Sequence, residues 1–265
     1  ARARRPHSAG RLDDPSRQFD LVIAPDGAAA ELDRYVRPGG RLLIAGTTPS
    51  GINLGQIPKR QPALRGYWRI RDHTLFPSLK DTELLFLDGE FLEFDPLAKP
   101  LLTLIPPAMC GPPEKVWVDK VETEKPGLLL ANLGEGKIAY VPWDLGGLYY
   151  RHSSVGHAGL AADLIDHLLP HGRQIKTDAH PLVEITVMRQ PKRSRTLIHF
   201  VNLSGHSDTA YFPPIEMSQI SVELAGQFKS ARSARLERKL DLTQDGSRVK
   251  FVLPKLQDYD AVILE

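Results

Sequence analysis

The hydrophobic pattern of the sequence changes near residue 176, and this change most constrains the fold. Before it, short continuous apolar runs alternate with segments of helical spacing, which is typical of strands buried between helices. After it, short segments alternate apolar with polar residues and are separated by turn clusters, without a helical pattern. We therefore predict an α/β domain over 19–175 and an all-β sandwich over 176–265, preceded by a linker or tail over 1–18.

The predicted α/β domain begins with a β-α-β unit. An apolar run at 19–24 predicts a buried strand, helix formers follow at 28–36, and 41–46 predicts the next buried strand. The short connection favours a parallel pair of strands. Further segments predict strands at 83–87 and 101–105, a hairpin at 128–141 and a helix with an N-terminal serine cap at 154–169. This alternation predicts a three-layer, flavodoxin-like α/β domain.

Composition excludes several classes of protein. The 265 residues suffice for two domains, and 34 basic side chains nearly balance 32 acidic ones, which argues against a nucleic-acid surface. No apolar run approaches the roughly 20 residues that cross a bilayer, so we expect no membrane partner. The sequence shows no signal peptide and no initiator Met, which suggests a chain cut from a longer one. The single Cys110 excludes an internal disulfide, and a cytoplasmic location is the default expectation.

The densest group of polar and aromatic side chains lies at 142–157, after a predicted buried strand. Ligands of α/β domains often bind beyond the carboxyl ends of the strands. Aromatic rings there can stack on a sugar, and the polar groups can bind its hydroxyls, but the same residue types also anchor subunit interfaces. A ligand site and an interface both remain open for Trp143, Asp144, Tyr149, Tyr150, Arg151 and His152.

Catalytic groups are not apparent in the sequence. The turn after the second predicted strand offers Thr47 and Thr48 without a cysteine or the spacing of a nucleophile elbow. Cys110 lies in a proline-rich loop, without a helix N-terminus that would activate its thiol. Glu114 and Asp119 form a candidate carboxylate pair, but the sequence does not fix the separation that glycoside hydrolysis requires. We predict no catalytic residue in this chain.

Metal and cofactor motifs are also missing from the sequence. His152 and His157 are five residues apart and do not align on a helix, while Pro170 separates His167 from His171. No pair of Cys or His residues has the spacing of a structural zinc site. The sequence contains neither a dinucleotide-binding glycine motif nor a phosphate-binding loop. We predict no metal and no cofactor.

The order of these parts resembles a known family. The unit at 19–46 looks like the middle domain of trimeric β-galactosidases, a class I glutamine-amidotransferase-like fold that has lost its catalytic cysteine. The stretches 112–117, 134–144 and 148–153 resemble bacterial glycoside hydrolases of the α-amylase/β-galactosidase clan. The stretch 180–205 is similar to the small C-terminal β-domain of those proteins.

In that family a separate N-terminal barrel carries the catalytic carboxylates, and a barrel needs about 250 residues of its own. The resemblance therefore implies a non-catalytic accessory and oligomerisation region of a glycoside hydrolase, with a homo-oligomer as its assembled form. The alternative is a carbohydrate-binding module that uses Trp143, Tyr149 and Tyr150. A third possibility is an active amidotransferase-like or esterase-like hydrolase, which needs a nucleophile beside a base.

Overall fold

The structure is a computed structural model, and β-strand is the commonest regular structure among its described residues. They form two compact units, one that extends to His171 and one over Gly172–Glu265. Residues 1–18 and several internal segments, which include Thr47, Thr48, Cys110 and Asp119, lie outside the described residues. The described residues are 19–24, 30–46, 59–63, 65–95, 99–107, 111–115, 122–207 and 209–265.

The N-terminal unit contains three small sheets and three α-helices within its described residues. Short 3-10 helices lie at Pro77–Leu79 and Pro113–Lys115. Its other elements are β1 (Val22–Ala24), α1 (Ala30–Val36), β2 (Arg41–Ala45), β3 (Lys59–Pro62), β4 (Gly66–Ile70), β5 (Leu84–Leu87), β6 (Glu90–Glu93), β7 (Leu102–Ile105), β8 (Leu129–Leu133), β9 (Gly136–Val141), α2 (Leu145–His152) and α3 (Val155–Leu168).

The central sheet of this unit has the strand order β1-β2-β9-β8. Strands β1, β2 and β9 are parallel, as the β-α-β pattern predicts for β1 and β2, and β8 is antiparallel to β9. Leu42 and Ile44 pack in one core cluster with the α1 residues Leu32 and Val36. Leu43 packs in another cluster with residues of α3. Because neighbouring strand residues face opposite sides, α1 and α3 cover opposite faces of the sheet.

The middle of this unit departs from the predicted alternation of strands and helices. The sequence between β2 and β8 contributes five strands, and its described residues include no α-helix. These strands form a two-stranded sheet, β3-β6, and a three-stranded sheet, β5-β4-β7. Trp68 of β4 is fully buried, which anchors the three-stranded sheet to the core shared with α3. The α/β class therefore describes only part of this unit.

The C-terminal unit is an all-β sandwich, which agrees with the predicted fold of this region. Its two main sheets have the orders β10-β15-β19-β18 and β11-β12-β20-β16-β17, and all their pairs are antiparallel. The strands are β10 (Ile175–Thr177), β11 (Val183–Gln190), β12 (Arg195–Asn202), β13 (His206–Ser207), β14 (Ala210–Tyr211), β15 (Met217–Ala225), β16 (Ala231–Ser233), β17 (Arg238–Leu240), β18 (Thr243–Asp245), β19 (Arg248–Leu256) and β20 (Tyr259–Leu264).

Strand periodicity explains the core of the sandwich. Alternate residues of β11, such as Val183, Ile185 and Val187, are buried, and the residues between them are exposed. Phe200 of β12 and Phe251 of β19 lie in the same core cluster, although the two strands belong to different sheets. The inner faces of the two sheets therefore pack on each other, as the alternating pattern predicts.

Candidate functional site

The predicted cluster at 142–157 folds into a turn, the helix α2 and the first residues of α3. Asp144 caps α2, and its Oδ1 accepts a hydrogen bond of 2.7 Å from the backbone N–H of Gly147. A Cβ at Gly147 would lie 1.9 Å from the Asp144 carboxylate, so this cap requires glycine. The helix ends at Ser153, which has a φ of 49° and donates its N–H to the Tyr149 carbonyl. The Asp144 side chain thus has a local structural role.

Trp143 is a core residue, which corrects its assignment as a candidate ligand or interface residue. Its side chain is 1% exposed, and its indole N–H donates a hydrogen bond of 2.8 Å to the Gly127 carbonyl. Its ring centroid lies 6.0 Å from that of Trp68 and 5.6 Å from that of His157. A sugar stacks on an aromatic ring only where one face of the ring is open, and Trp143 offers none.

The other five residues of the predicted cluster lie along α2 and its cap. Tyr150 is 87% exposed, and Tyr149 is half-buried. Arg151 Nη1 lies 4.0 Å from Asp144 Oδ2, and both side chains are about half exposed. His152 is exposed and contacts Phe86 edge-on, with ring centroids 5.4 Å apart. The exposed part of the cluster therefore presents one aromatic ring, one ion pair and one imidazole to solvent.

His157 lies on α3 and is fully buried. Its Nε2 is 2.8 Å from the Phe86 carbonyl, and because a carbonyl only accepts, Nε2 carries the proton. Its Nδ1 is buried without a hydrogen-bond partner among the described residues. Burial lowers the pKa of His157, and the nearby His152 lowers it further, against the hydrogen bond to Phe86. The imidazole is neutral and belongs to the core, so His157 and His152 do not form a metal pair.

Both buried carboxylates of the described residues have structural partners. Asp163 of α3 accepts hydrogen bonds from the Ser78 N–H at 3.0 Å and the Ser78 hydroxyl at 2.7 Å. Asp260 of β20 accepts from the Ser233 hydroxyl, the Arg235 N–H and the Ala261 N–H. Both carboxylates are buried and accept hydrogen bonds from neighbouring backbone and serine groups, which is a structural role. A carboxylate held in this way is poorly placed to exchange protons with a substrate.

A further group of charged residues was not apparent in the sequence. Glu122 accepts from the buried Thr103 hydroxyl at 2.9 Å, and it pairs with Arg69, at 3.2 Å, and with Arg71. Arg71 Nε also donates to the Thr103 hydroxyl at 3.0 Å. Arg69 Nη1 also lies 3.5 Å from the exposed Glu83 carboxylate. Both carboxylates of the group are therefore paired with guanidinium groups, whereas hydrolysis of a glycoside requires one carboxyl group as an acid and one as a nucleophile or base. The group therefore stabilises the three-stranded sheet through β4 and β7.

The remaining candidates are not brought together within the described residues. Glu114 is exposed in a 3-10 helix, and its predicted partner Asp119 lies outside the described residues, as do Thr47, Thr48 and Cys110. Among the described residues, no group of three or more His, Cys, Asp or Glu side chains could hold a metal ion. No helix found in those residues has the length and apolar character needed to cross a membrane.

The fold is similar to parts of solved glycoside hydrolases. The alpha-L-fucosidase isoenzyme 2 from Paenibacillus thiaminolyticus matches with a TM-score of 0.73 and 16% identity, over 96% of this chain and 42% of that enzyme. A beta-galactosidase from Bacillus circulans sp. alkalophilus matches with a TM-score of 0.57 and 12% identity, over 96% and 34%. A GH42 beta-galactosidase from G. stearothermophilus matches with a TM-score of 0.55 and 12% identity, over 93% and 32%.

This chain therefore spans less than half of the length of each of these enzymes. At such identities the similarity concerns the fold alone, and it carries no catalytic residue to this chain. No protein-family model matches the chain, and no curated protein matches it. The chain shares its fold with a region of glycoside hydrolases.

Proposed function

We propose that this chain is a non-catalytic accessory and oligomerisation region that works with the catalytic domain of a glycoside hydrolase. The observation that carries the proposal is the fold match, which covers nearly all of this chain and only part of each enzyme. The structural roles of Asp163 and Asp260 support it, because neither buried carboxylate is available as an acid or a nucleophile.

The domain type is part of this proposal. We assign the N-terminal unit to a reduced three-layer fold of the amidotransferase type, similar to the middle domain of trimeric β-galactosidases. The positions of α1 and α3 on opposite faces of the central sheet support this assignment. The parallel order β1-β2-β9 also supports it, because parallel strands are usually covered by helices on both faces.

A homo-oligomer is the expected assembled form. In solution the purified protein should have a molar mass that is a multiple of the single-chain mass, which multi-angle light scattering measures over a range of concentrations. The variant Tyr150→Ser should shift the mass toward that of the single chain, because Tyr150 is an 87% exposed aromatic side chain of the predicted interface cluster. A single-chain mass for the unmodified protein at all concentrations would contradict the oligomerisation role.

The second candidate is a carbohydrate-binding module, and the exposure of Tyr150 favours it. In a carbohydrate-binding module, the Tyr150 ring would stack on a sugar ring, and Arg151 and the Asp144 carboxylate would bind the hydroxyl groups of the sugar. Isothermal titration with neutral galacto- and fuco-oligosaccharides tests it, with Tyr150→Ala as the variant that should abolish the heat of binding. Equal binding by Tyr150→Ala would remove this cluster from consideration as a sugar site.

A further inference from the structure

The turn between β11 and β12 carries a high density of positive charge. Residues 189–195 include no acidic residue, and four of the seven are basic. The basic residues are Arg189, Lys192, Arg193 and Arg195. We call residues 189–195 the basic hairpin. The overall charge of the chain is nearly balanced, so this concentration of like charges is local. Local clusters of this kind create a field that attracts anions.

The basic hairpin has a defined conformation. Gln190 and Arg195 are directly paired across β11 and β12, and Arg195 Nε donates a hydrogen bond of 2.7 Å to Gln190 Oε1. A 3-10 helix at Pro191–Arg193 forms the tip, and Ser194 follows it with a φ of 49°. The Ser194 N–H donates to the Pro191 carbonyl at 3.1 Å. The cationic side chains therefore project from a structured turn, which reduces the entropy lost on binding.

The two cations at the tip of the basic hairpin are not neutralised within the described part of the chain. Lys192 and Arg193 are exposed, and neither forms an ion pair with a described carboxylate. Other cations of the same unit do have such partners, for example Lys250 with Asp245 at 2.7 Å. An open cavity of about 580 Å³ lies at the tip, and it is lined by Gln190, Pro191, Lys192 and Arg193.

We infer that the basic hairpin binds an anionic polysaccharide whose carboxylate or sulfate groups occupy the open cavity. Unpaired cations on an open surface suit a flexible chain of repeated charges better than a single enclosed anion. None of the described residues that line the cavity is aromatic, whereas proteins that bind single-stranded nucleic acid use aromatic side chains to stack on the bases. The choice of a carbohydrate among polyanions rests on the proposed function.

Binding of the full chain to polygalacturonate, measured by biolayer interferometry from 20 to 300 mM NaCl, tests the inference. We expect affinity that falls steeply with salt, because each contact releases counterions from the polyanion. The double variant Lys192→Gln/Arg193→Gln should weaken binding at 20 mM NaCl by about tenfold or more, since each basic side chain near an anionic surface contributes substantially to the free energy of binding. Dextran, a neutral polysaccharide, should not bind.

The matched control removes the same two charge types from another surface of the same unit. Arg238 and Lys239 are adjacent in β17, exposed, and separated from β12 by β20 and β16 in the sheet. The double variant Arg238→Gln/Lys239→Gln has the same net charge as the hairpin variant and should change affinity less than about twofold. Both variants should keep the circular dichroism spectrum and thermal midpoint of the unmodified protein, because all four side chains are exposed.

Three results would overturn the inference. They are no binding to polygalacturonate at 20 mM NaCl, an equal loss of affinity in the two double variants, and tighter binding to single-stranded DNA than to polygalacturonate of equal charge. The third result would assign the surface to a nucleic acid instead. The proposed accessory role is tested separately by oligomeric state and turnover, so failure of polysaccharide binding would leave that role standing.

Discussion

At the residue scale, burial decides which members of the aromatic cluster are structural. Trp143 and Tyr150 lie seven positions apart in one segment, yet their exposed fractions are 1% and 87%. The sequence predicts that the segment is unusual, because aromatic and charged residues are dense there. It does not predict which ring is buried, since that depends on the direction in which α2 leaves β9. The buried Gly127 carbonyl, which satisfies the Trp143 indole, is 16 residues away in sequence.

Truncation of the two aromatic residues should therefore have different effects on stability. Trp143→Ala should lower the free energy of unfolding by about 3–5 kcal/mol, because it leaves a large cavity and an unpaired carbonyl at Gly127. Tyr150→Ala should change it by less than about 0.5 kcal/mol. Urea denaturation followed by tryptophan fluorescence and circular dichroism measures both values. Similar stability for the two variants would show that Trp143 is not a core residue.

His157 should make stability depend on pH. Burial holds its folded-state pKa below the ordinary value of about 6.5 that applies to the unfolded chain, so the unfolded chain takes up the proton first. The stability is therefore complete above about pH 6.5 and is lost as the pH falls from that value toward the folded-state pKa. In thermal melts between pH 5 and 8, His157→Gln should flatten this dependence.

The control for the pH experiment is His171→Gln, which replaces an exposed imidazole beyond the end of α3. Between pH 5 and 6.5, the thermal midpoint of this control variant should change with pH as steeply as that of the unmodified protein. His167 also has a pKa lowered by burial and by Lys137, and it adds to the slope in the same direction. An unchanged slope in His157→Gln would mean that the buried imidazole is not the group that titrates.

At the element scale, continuous apolar runs predicted several strands well. The predictions at 41–46 and 101–105 correspond to β2 (Arg41–Ala45) and β7 (Leu102–Ile105). Short strands such as β16 and β17 were missed, because their three residues carry too little pattern. Helix α2 was missed as well, since its Gly-Gly and Tyr-Tyr steps have low helix propensity and its start depends on the Asp144 cap.

The hairpin at 128–141 was predicted from its glycines, and the structure shows why one of them is required. Gly134 has a φ of +62°, and a Cβ there would lie 2.5 Å from the Arg37 carbonyl oxygen. Gly134→Ala should lower the free energy of unfolding by more than about 1 kcal/mol, from backbone strain together with this steric contact. The measurement is the urea midpoint.

Gly146 offers a matched control in the same unit. It lies in the first turn of α2, and a Cβ there would meet nothing within 4 Å. Gly146→Ala should leave stability unchanged or raise it by up to about 1 kcal/mol, because alanine favours the helix and restricts the unfolded chain. If both substitutions shift the urea midpoint in the same direction and by the same amount, the account of Gly134 is wrong.

At the scale of the whole molecule, the sequence predicted the class of the C-terminal unit better than that of the N-terminal unit. In an antiparallel sandwich, buried and exposed residues alternate along every strand. The sequence of each long strand therefore indicates which of its residues are buried. The N-terminal unit combines a mainly parallel sheet with two small antiparallel sheets, and contacts such as Trp68 with Trp143 join distant segments. Such contacts have no local signature in the sequence.

The C-terminal unit should fold without the N-terminal unit. Its core cluster contains only residues between Ile175 and Leu264, and these residues come from both main sheets of the sandwich. The fragment 172–265 should therefore show the circular dichroism of β-structure and a single cooperative unfolding transition. A fragment that lacks a cooperative transition would show that this core depends on the rest of the chain.

The central claim is that this chain supports a glycoside hydrolase without catalysing the reaction. Its most direct test is the hydrolysis of nitrophenyl β-galactoside and α-fucoside by the pure protein at high concentration. The account predicts no release of nitrophenol above the buffer rate, because the buried carboxylates of the described residues are fixed in structural hydrogen bonds. Turnover that co-purifies with the chain and scales with its concentration would contradict the account.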